Sequence, residues 1–193
     1  MEDQPAQAEN PQSCENSVPS YFEREVERRR HEALARIDAV PVAALIWGPS
    51  PTGDTATAKA RVSLRESLLK RGHVARFSED LCDATSVRSK VAQQAAQAEA
   101  FDIVFSIPDS PGSVAEIHDF ARLPGLSHKI VAFLDERWND GYSNQSLIDH
   151  ASLPLSCKVH MYCCSQLPEC VIQHALASVA RLQEIVYLLG RRF

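Results

Sequence analysis

One acidic side chain stands out because it follows a loop of serine, proline and glycine. Glu116 lies three residues beyond Ser113, the last residue of the loop Ser110-Pro111-Gly112-Ser113. A carboxylate fixed at such a place can act as a nucleophile, or it can stabilise positive charge on an electron-poor carbon. The same spacing is typical of a helix capping box, in which Glu116 would bind the backbone and do no chemistry. The spacing alone leaves both interpretations open.

The loop before Glu116 has the composition of an anion-binding turn. Ser110 or Ser113 can cap the helix that follows, and Gly112 lets a ligand approach the backbone closely. The start of a helix offers free N–H groups and a partial positive charge, which suit a phosphate or a carboxylate. We therefore predict that Asp109, Ser110, Gly112 and Ser113 bind the ligand.

A second loop of the same composition follows the first apolar run, at residues 48–53. It lacks the lysine of a Walker motif and the pattern G-x-G-x-x-G, so neither an ATPase nor a dehydrogenase is supported. Trp47, at its start, could stack on a base or belong to the core. The further residues that we predict to contact the ligand are Trp47, Gly48, Pro49, Ser50 and Glu79, the last of which follows the second strand.

Short apolar runs that alternate with helical patterns supply the scaffold for these loops. The runs predict strands at residues 41–47, 73–77, 102–107, 129–134 and 158–163. Helices are predicted between and after them, at residues 57–71, 84–100, 114–121 and 145–150. This alternation is typical of βαβ units, in which helices cover both faces of a parallel sheet. We predict a three-layer α/β/α fold, flavodoxin-like (Rossmannoid), with a five-stranded parallel sheet in the order 2-1-3-4-5.

That strand order predicts where the site lies. In an open parallel sheet, ligands bind beyond the carboxyl ends of the strands, where the strand order reverses. Here the reversal falls between the first and third strands, so the loops after Trp47 and Ile107 should face each other across a crevice. These are the two loops richest in glycine, proline and serine.

The rest of the chain is predicted to be a tail and two flanking helices. Residues 1–19 are polar and are predicted to form a disordered tail. Residues 20–193 are predicted to form a single α/β domain. Within it, an N-terminal helix covers residues 20–39, the core sheet covers 41–164, and a C-terminal helix covers 168–190.

Charge and hydropathy exclude several classes of partner. The chain carries a net charge of −5, so a general electrostatic attraction to nucleic acid is not expected. No stretch reaches the roughly 20 apolar residues that a membrane span needs, and because the N-terminal residues have no apolar run, no signal peptide is expected. We therefore expect a cytoplasmic protein without a membrane partner.

The cysteines do not predict a metal site. There are six of them, and in the cytoplasm they should be free thiols. Cys157, His160 and Cys163 fall in one predicted strand, where alternation puts His160 on the face opposite the two thiols. Structural zinc needs four converging ligands, so we expect neither a metal nor another cofactor.

A resemblance to a known superfamily lies in residues 101–121, which read FDIVFSIPDSPGSVAEIHDFA. This segment resembles the matching part of the nucleoside 2-deoxyribosyltransferase-like and TIR-like superfamily, whose small flavodoxin-like domains have a strand, a Gly/Ser loop and a helix bearing a glutamate. The stretches ALIWGPSP and GHVARFSEDL are similar to its first and second strands with their loops. The chain departs from the deoxyribosyltransferases in having Ser-Pro-Gly-Ser where they show Asp-x-Gly-Thr.

The resemblance implies an activity. In that superfamily the glutamate works at the anomeric carbon of a nucleoside or of NAD, and Glu116 takes this role by resemblance. The expected reaction is cleavage or exchange of the N-glycosidic bond of a nucleoside, nucleotide or NAD. Some phage-defence effectors carry SPGS-x-AE in such domains, which extends the hypothesis to phage defence. The alternatives are a non-catalytic nucleotide-sensing module and an interaction subunit of a larger complex; a homo-oligomer or a partner protein is expected.

Overall fold

The computed structural model describes residues 20–153, 156–190 and 192. The described residues group into two units, the first ending at Arg36 and the second beginning at Ile37. The predicted tail, residues 1–19, lies outside the described residues. Helix α1 (Tyr21–Asp38) begins at a capping box in which the Ser20 hydroxyl accepts from the Glu23 amide at 3.2 Å and the Ser20 amide donates to the Glu23 carboxylate at 2.5 Å.

The second unit is built on a five-stranded parallel sheet. Its strands are β1 (Ala43–Trp47), β2 (Val74–Phe77), β3 (Ile103–Ser106), β4 (Ile130–Asp135) and β5 (Lys158–Tyr162). They lie in the order β2-β1-β3-β4-β5, and each neighbouring pair is parallel. The predicted fold class and strand order are confirmed.

Helices cover both faces of the sheet, in the predicted three layers. They are α2 (Ala56–Lys70), α3 (Lys90–Ala100), α4 (Pro111–Ala121), α5 (Tyr142–Ala151) and α6 (Glu169–Leu189). Side chains of α2 and α6 pack with Ile46 of β1 on one face, whereas side chains of α3, α4 and α5 pack with Leu45 on the other. Because successive strand residues point to opposite faces, a strand covered on both sides is apolar throughout.

Three helices, α3, α4 and α5, begin at least three residues from their predicted starts, and α5 begins at Tyr142 instead of residue 145. Helix α3 begins at Lys90 instead of residue 84, because Ser89 caps it by accepting from the Ala92 amide at 3.2 Å. Helix α4 begins at Pro111 instead of residue 114, since proline suits the first helical position. The chain before α3 is therefore a loop.

None of the helices in the described part of the chain is both long and apolar enough to cross a bilayer.

Candidate functional site

A crevice of about 670 Å³ lies beyond the carboxyl ends of β1 and β3, where the strand order reverses. Its walls come from the ends of β1, β2 and β3, from the loop before α3, from the start of α3, and from α4. Seven of the ten residues predicted for the site line it: Trp47, Gly48, Pro49, Glu79, Asp109, Ser113 and Glu116. Such a volume is typical of small-molecule sites.

The other three predicted residues, Ser50, Ser110 and Gly112, do not line the crevice. Ser50 belongs to a turn beside it, in which the Ser50 carbonyl accepts from the Gly53 amide at 2.9 Å and the Ser50 hydroxyl bonds that of Thr52 at 3.0 Å. Ser110 lines a smaller pocket on the far side of the start of α4. Gly112 is exposed in the first turn of α4.

Glu116 stands in the second turn of α4, with its exposed side chain in the crevice wall. It takes no part in the helix cap, which is formed by two serines. The Ser110 hydroxyl accepts from the Ser113 amide at 3.2 Å, and the Ser113 hydroxyl accepts from the Ser110 amide at 3.1 Å. Within the described ranges, no hydrogen bond or ion pair engages the Glu116 carboxylate, so its oxygens are available to a ligand.

The start of α4 offers fewer donors than its position at the crevice suggests. Pro111 has no N–H, and the Ser113 N–H is taken up by the Ser110 hydroxyl. In the described part of the chain, only the Gly112 N–H of this turn lacks an acceptor. A side chain at Gly112 would meet the Ser110 hydroxyl alone, at 3.8 Å, so the backbone itself does not require glycine there. That a ligand approaches Gly112 stays a prediction.

Arg61, which was not among the predicted site residues, holds the loop after β1 in place. This buried side chain donates to the carbonyls of Ile46 and Pro49, each at 2.6 Å, and to the two Glu79 oxygens at 2.7 and 2.6 Å. Its guanidinium also lies 4.4 Å from the ring centre of Phe77. The helical spacing could have indicated that Arg61 is buried, because Arg61 precedes the buried Leu64 by three residues and so lies on the apolar face of α2.

Glu79 lines the crevice, but its carboxylate oxygens are already engaged. Partial burial opposes its ionisation, yet hydrogen bonds from Arg61, from the backbone and from Ser78 hold the pKa of Glu79 below its usual value. Both oxygens accept from Arg61, and one also accepts from the Ser78 hydroxyl at 3.1 Å. Glu79 is thus suited to fixing the loop, and Glu116 is the freer carboxylate.

The end of β1 approaches the end of β3 so closely that only glycine fits between them. Gly48 has φ = +150°, and a Cβ there would lie 2.9 Å from the Ile107 carbonyl oxygen. Just before it, the Trp47 carbonyl accepts from the Ile107 amide at 3.1 Å. Trp47 belongs mainly to the core, with its ring centre 4.9 Å from that of Phe120, and only 7% of the residue is exposed where it lines the crevice.

The loop before α3 and the first residue of α3 supply the positive charge in the crevice. Arg88 and Lys90 line it with exposed side chains, and within the ranges described neither forms an ion pair. Asp83, in the same wall, is occupied in a turn, where hydrogen bonds from Thr85 lower its pKa. Arg88 and Lys90 were not among the predicted site residues, because the predicted helix at residues 84–100 included both of them.

The side chains considered for a metal site lie apart from one another. Cys157 is buried in the core, Cys163 is exposed, and the His160 ring stacks between those of Phe133 and His174. In the described residues, no three His, Cys, Asp or Glu side chains are grouped so that they could hold a metal ion.

Neither the protein-family models nor the characterised proteins contain a match to this chain.

Proposed function

We propose that the protein cleaves or exchanges the N-glycosidic bond of a nucleoside, nucleotide or NAD in the crevice, with Glu116 as the reactive carboxylate. The observation that carries this proposal is the placement of Glu116. It stands in the wall of a crevice of ligand size at the point where the strand order reverses, and no described residue engages its oxygens.

The reaction needs one carboxylate close to the anomeric carbon. As the bond from that carbon to the base nitrogen breaks, its electron pair leaves with the base and the sugar becomes oxocarbenium-like. The Glu116 carboxylate stabilises this positive charge, or it captures the carbon in a covalent ester. Water then supplies a hydroxyl group in hydrolysis, whereas the nitrogen of a second base attacks in exchange.

The charges in the crevice favour a phosphorylated substrate within this class. Arg88 and Lys90 are cationic, exposed and unpaired among the described side chains, which suits them to phosphate oxygens. On this basis a nucleotide or NAD is preferred to a free nucleoside. The loop before Glu116 also resembles that of the nucleoside 2-deoxyribosyltransferase-like and TIR-like superfamily. This resemblance supports cleavage or exchange of an N-glycosidic bond.

Release of free base tests the proposal directly. The protein is incubated with NAD, with the common ribonucleosides and deoxyribonucleosides, and with their monophosphates, and the products are separated by chromatography. We expect release by the wild type and a loss of at least 100-fold in Glu116→Gln. Asp119→Asn, an exposed acid further along α4, is the matched control and should keep full activity.

Two outcomes would contradict the proposal. Equal activity in the wild type and Glu116→Gln would show that Glu116 is not the reactive group. Binding of a nucleotide without release of base from any substrate would favour the alternative, a nucleotide-sensing module.

A further inference from the structure

A second pocket, of about 220 Å³, lies on the other side of the start of α4, beyond the ends of β3 and β4. We call it the α5 pocket, because the first residues of α5 form one of its walls. Its apolar wall consists of Pro108, Val114 and Leu134. Ser110 lines this pocket, whereas Ser113 lines the crevice, so the first turn of α4 divides the two.

Asn144 is the feature of the α5 pocket that points to a ligand. Its side chain lines the pocket with only 3% of the residue exposed, and no described residue forms a hydrogen bond with its carboxamide. Because no described residue satisfies this carboxamide, it is available to hydrogen-bond a molecule in the pocket. A carboxamide offers both donors and an acceptor, which match a ligand edge that has both.

The start of α5 adds backbone donors to the same pocket. Helix α5 spans ten residues, and Gly141 in the N-cap position provides no side-chain cap. Within the part of the chain described, the N–H groups of Tyr142, Ser143 and Asn144 have no acceptor. They can donate to a carbonyl oxygen beside the Asn144 carboxamide.

The remaining walls favour a flat and uncharged ligand. Trp138 and Tyr142 line the pocket with half-exposed and largely exposed rings, which offer stacking surfaces. The Asp135 carboxylate, also in the wall, disfavours an anion even though Arg137 pairs with it at 2.6 Å. The volume is below the range of about 300–1,000 Å³ for sites of drug-sized ligands, so the ligand is small.

We propose that the α5 pocket binds an uncharged heteroaromatic ring with a carbonyl or carboxamide on its edge, such as a free nucleobase or nicotinamide. The ring stacks against Trp138, while Asn144 and the first N–H groups of α5 bind its polar edge. This proposal concerns a second site and does not rest on the reaction proposed for the crevice.

The two tryptophans allow the two sites to be observed separately. The chain contains only Trp47, in the crevice wall, and Trp138, at the α5 pocket. In Trp47→Phe, all indole fluorescence comes from Trp138, and in Trp138→Phe it comes from Trp47. Nicotinamide and uracil are the test ligands, pyridine is the ring without a carboxamide, and inorganic phosphate is the anion.

In Trp47→Phe we expect nicotinamide or uracil to quench Trp138 to saturation, and pyridine to bind at least tenfold more weakly. Asn144→Leu, added to Trp47→Phe, should raise the dissociation constant at least tenfold. If that variant does not fold, as judged by circular dichroism, Tyr142→Ala is used in its place. This substitution removes an exposed ring and should raise the dissociation constant about threefold.

Three results would overturn this proposal: no saturable quenching of Trp138 by either ligand, an affinity unchanged by the substitutions, or a response to phosphate alone, which would identify an anion site. Glu116→Gln should leave the quenching unchanged. A failure of the reaction proposed for the crevice is thereby distinguished from a failure of the second site.

Discussion

Arg61 binds both carboxylate oxygens of Glu79 and at the same time donates to two carbonyl groups at the end of β1. A buried side chain on α2 thus joins the ends of β1 and β2, and it fixes the loop that forms one wall of the crevice. A guanidinium can satisfy four acceptors in this way because its donors lie in one rigid plane.

The first prediction follows from that pairing. Arg61→Leu should lower the free energy of unfolding by about 3 kcal/mol, because two carbonyl groups and a partly buried carboxylate lose their partner. Arg65→Leu is the control on the same helix. Arg65 is partly exposed and lies 3.6 Å from Asp80, so its loss should cost less than about 1 kcal/mol. Urea denaturation measures both, and equal effects would contradict the role given to Arg61.

The second prediction concerns the contact between β1 and β3. Gly48→Ala would place a methyl group against the Ile107 carbonyl in a conformation that other residues rarely adopt. We expect a loss of about 2 kcal/mol or more in thermal unfolding. Gly125→Ala is the control, because a Cβ there would meet nothing within 4 Å. The interpretation fails if the two alanine variants melt at the same temperature.

The third prediction is a dependence of stability on pH. Burial, followed by the charges of His174 and Lys158, lowers the pKa of His160. As the pH falls through the ordinary histidine value of about 6.5, the unfolded chain takes up a proton that the folded protein resists, so stability falls.

His160→Phe should therefore reduce the loss of stability between pH 7 and pH 5, while it keeps a ring against Phe133. The dependence of the free energy of unfolding on pH should not vanish, since burial and the charge of Arg71 also lower the pKa of His73. The pKa values of Glu79 and Asp135 are lowered as well, so these carboxylates contribute only at more acidic pH. Unfolding curves of the wild type and His160→Phe at a series of pH values test this prediction. The same pH dependence of stability in both proteins would contradict it.

The fourth prediction distinguishes two adjacent cysteines. Hydrogen bonds from Ser165 lower the pKa of the exposed Cys163, whereas a hydrogen bond to Asp135, together with burial, raises the pKa of Cys164. Because the thiolate is the reactive form, iodoacetamide at pH 7.5 should modify Cys163 several-fold faster than Cys164. Peptide mass spectrometry over time measures the two rates. Ser165→Ala should slow the modification of Cys163 and leave that of Cys164 unchanged. Faster modification of Cys164 than of Cys163 in the wild type would contradict the prediction.

The fold could be predicted because its strongest signal is local. Five apolar runs separated by helical patterns lead to the observed sheet, and the reversal of strand order leads to the crevice between β1 and β3. The start of α3 was missed because Ala84 and its neighbours favour a helix, whereas the cap at Ser89 determines where that helix begins. Helical spacing places Arg61 on the buried face of α2, but it does not show what Arg61 binds, because the four acceptor atoms come from segments distant in sequence.

Both outer strands of the sheet are short and carry a positive charge. β2 has four residues and presents Arg76 to solvent, while β5 has five residues and begins with the exposed Lys158. An outer strand can pair with a strand of another molecule, and proteins limit this by keeping such strands short and charged. The two edges of this sheet are therefore protected against aggregation through strand pairing.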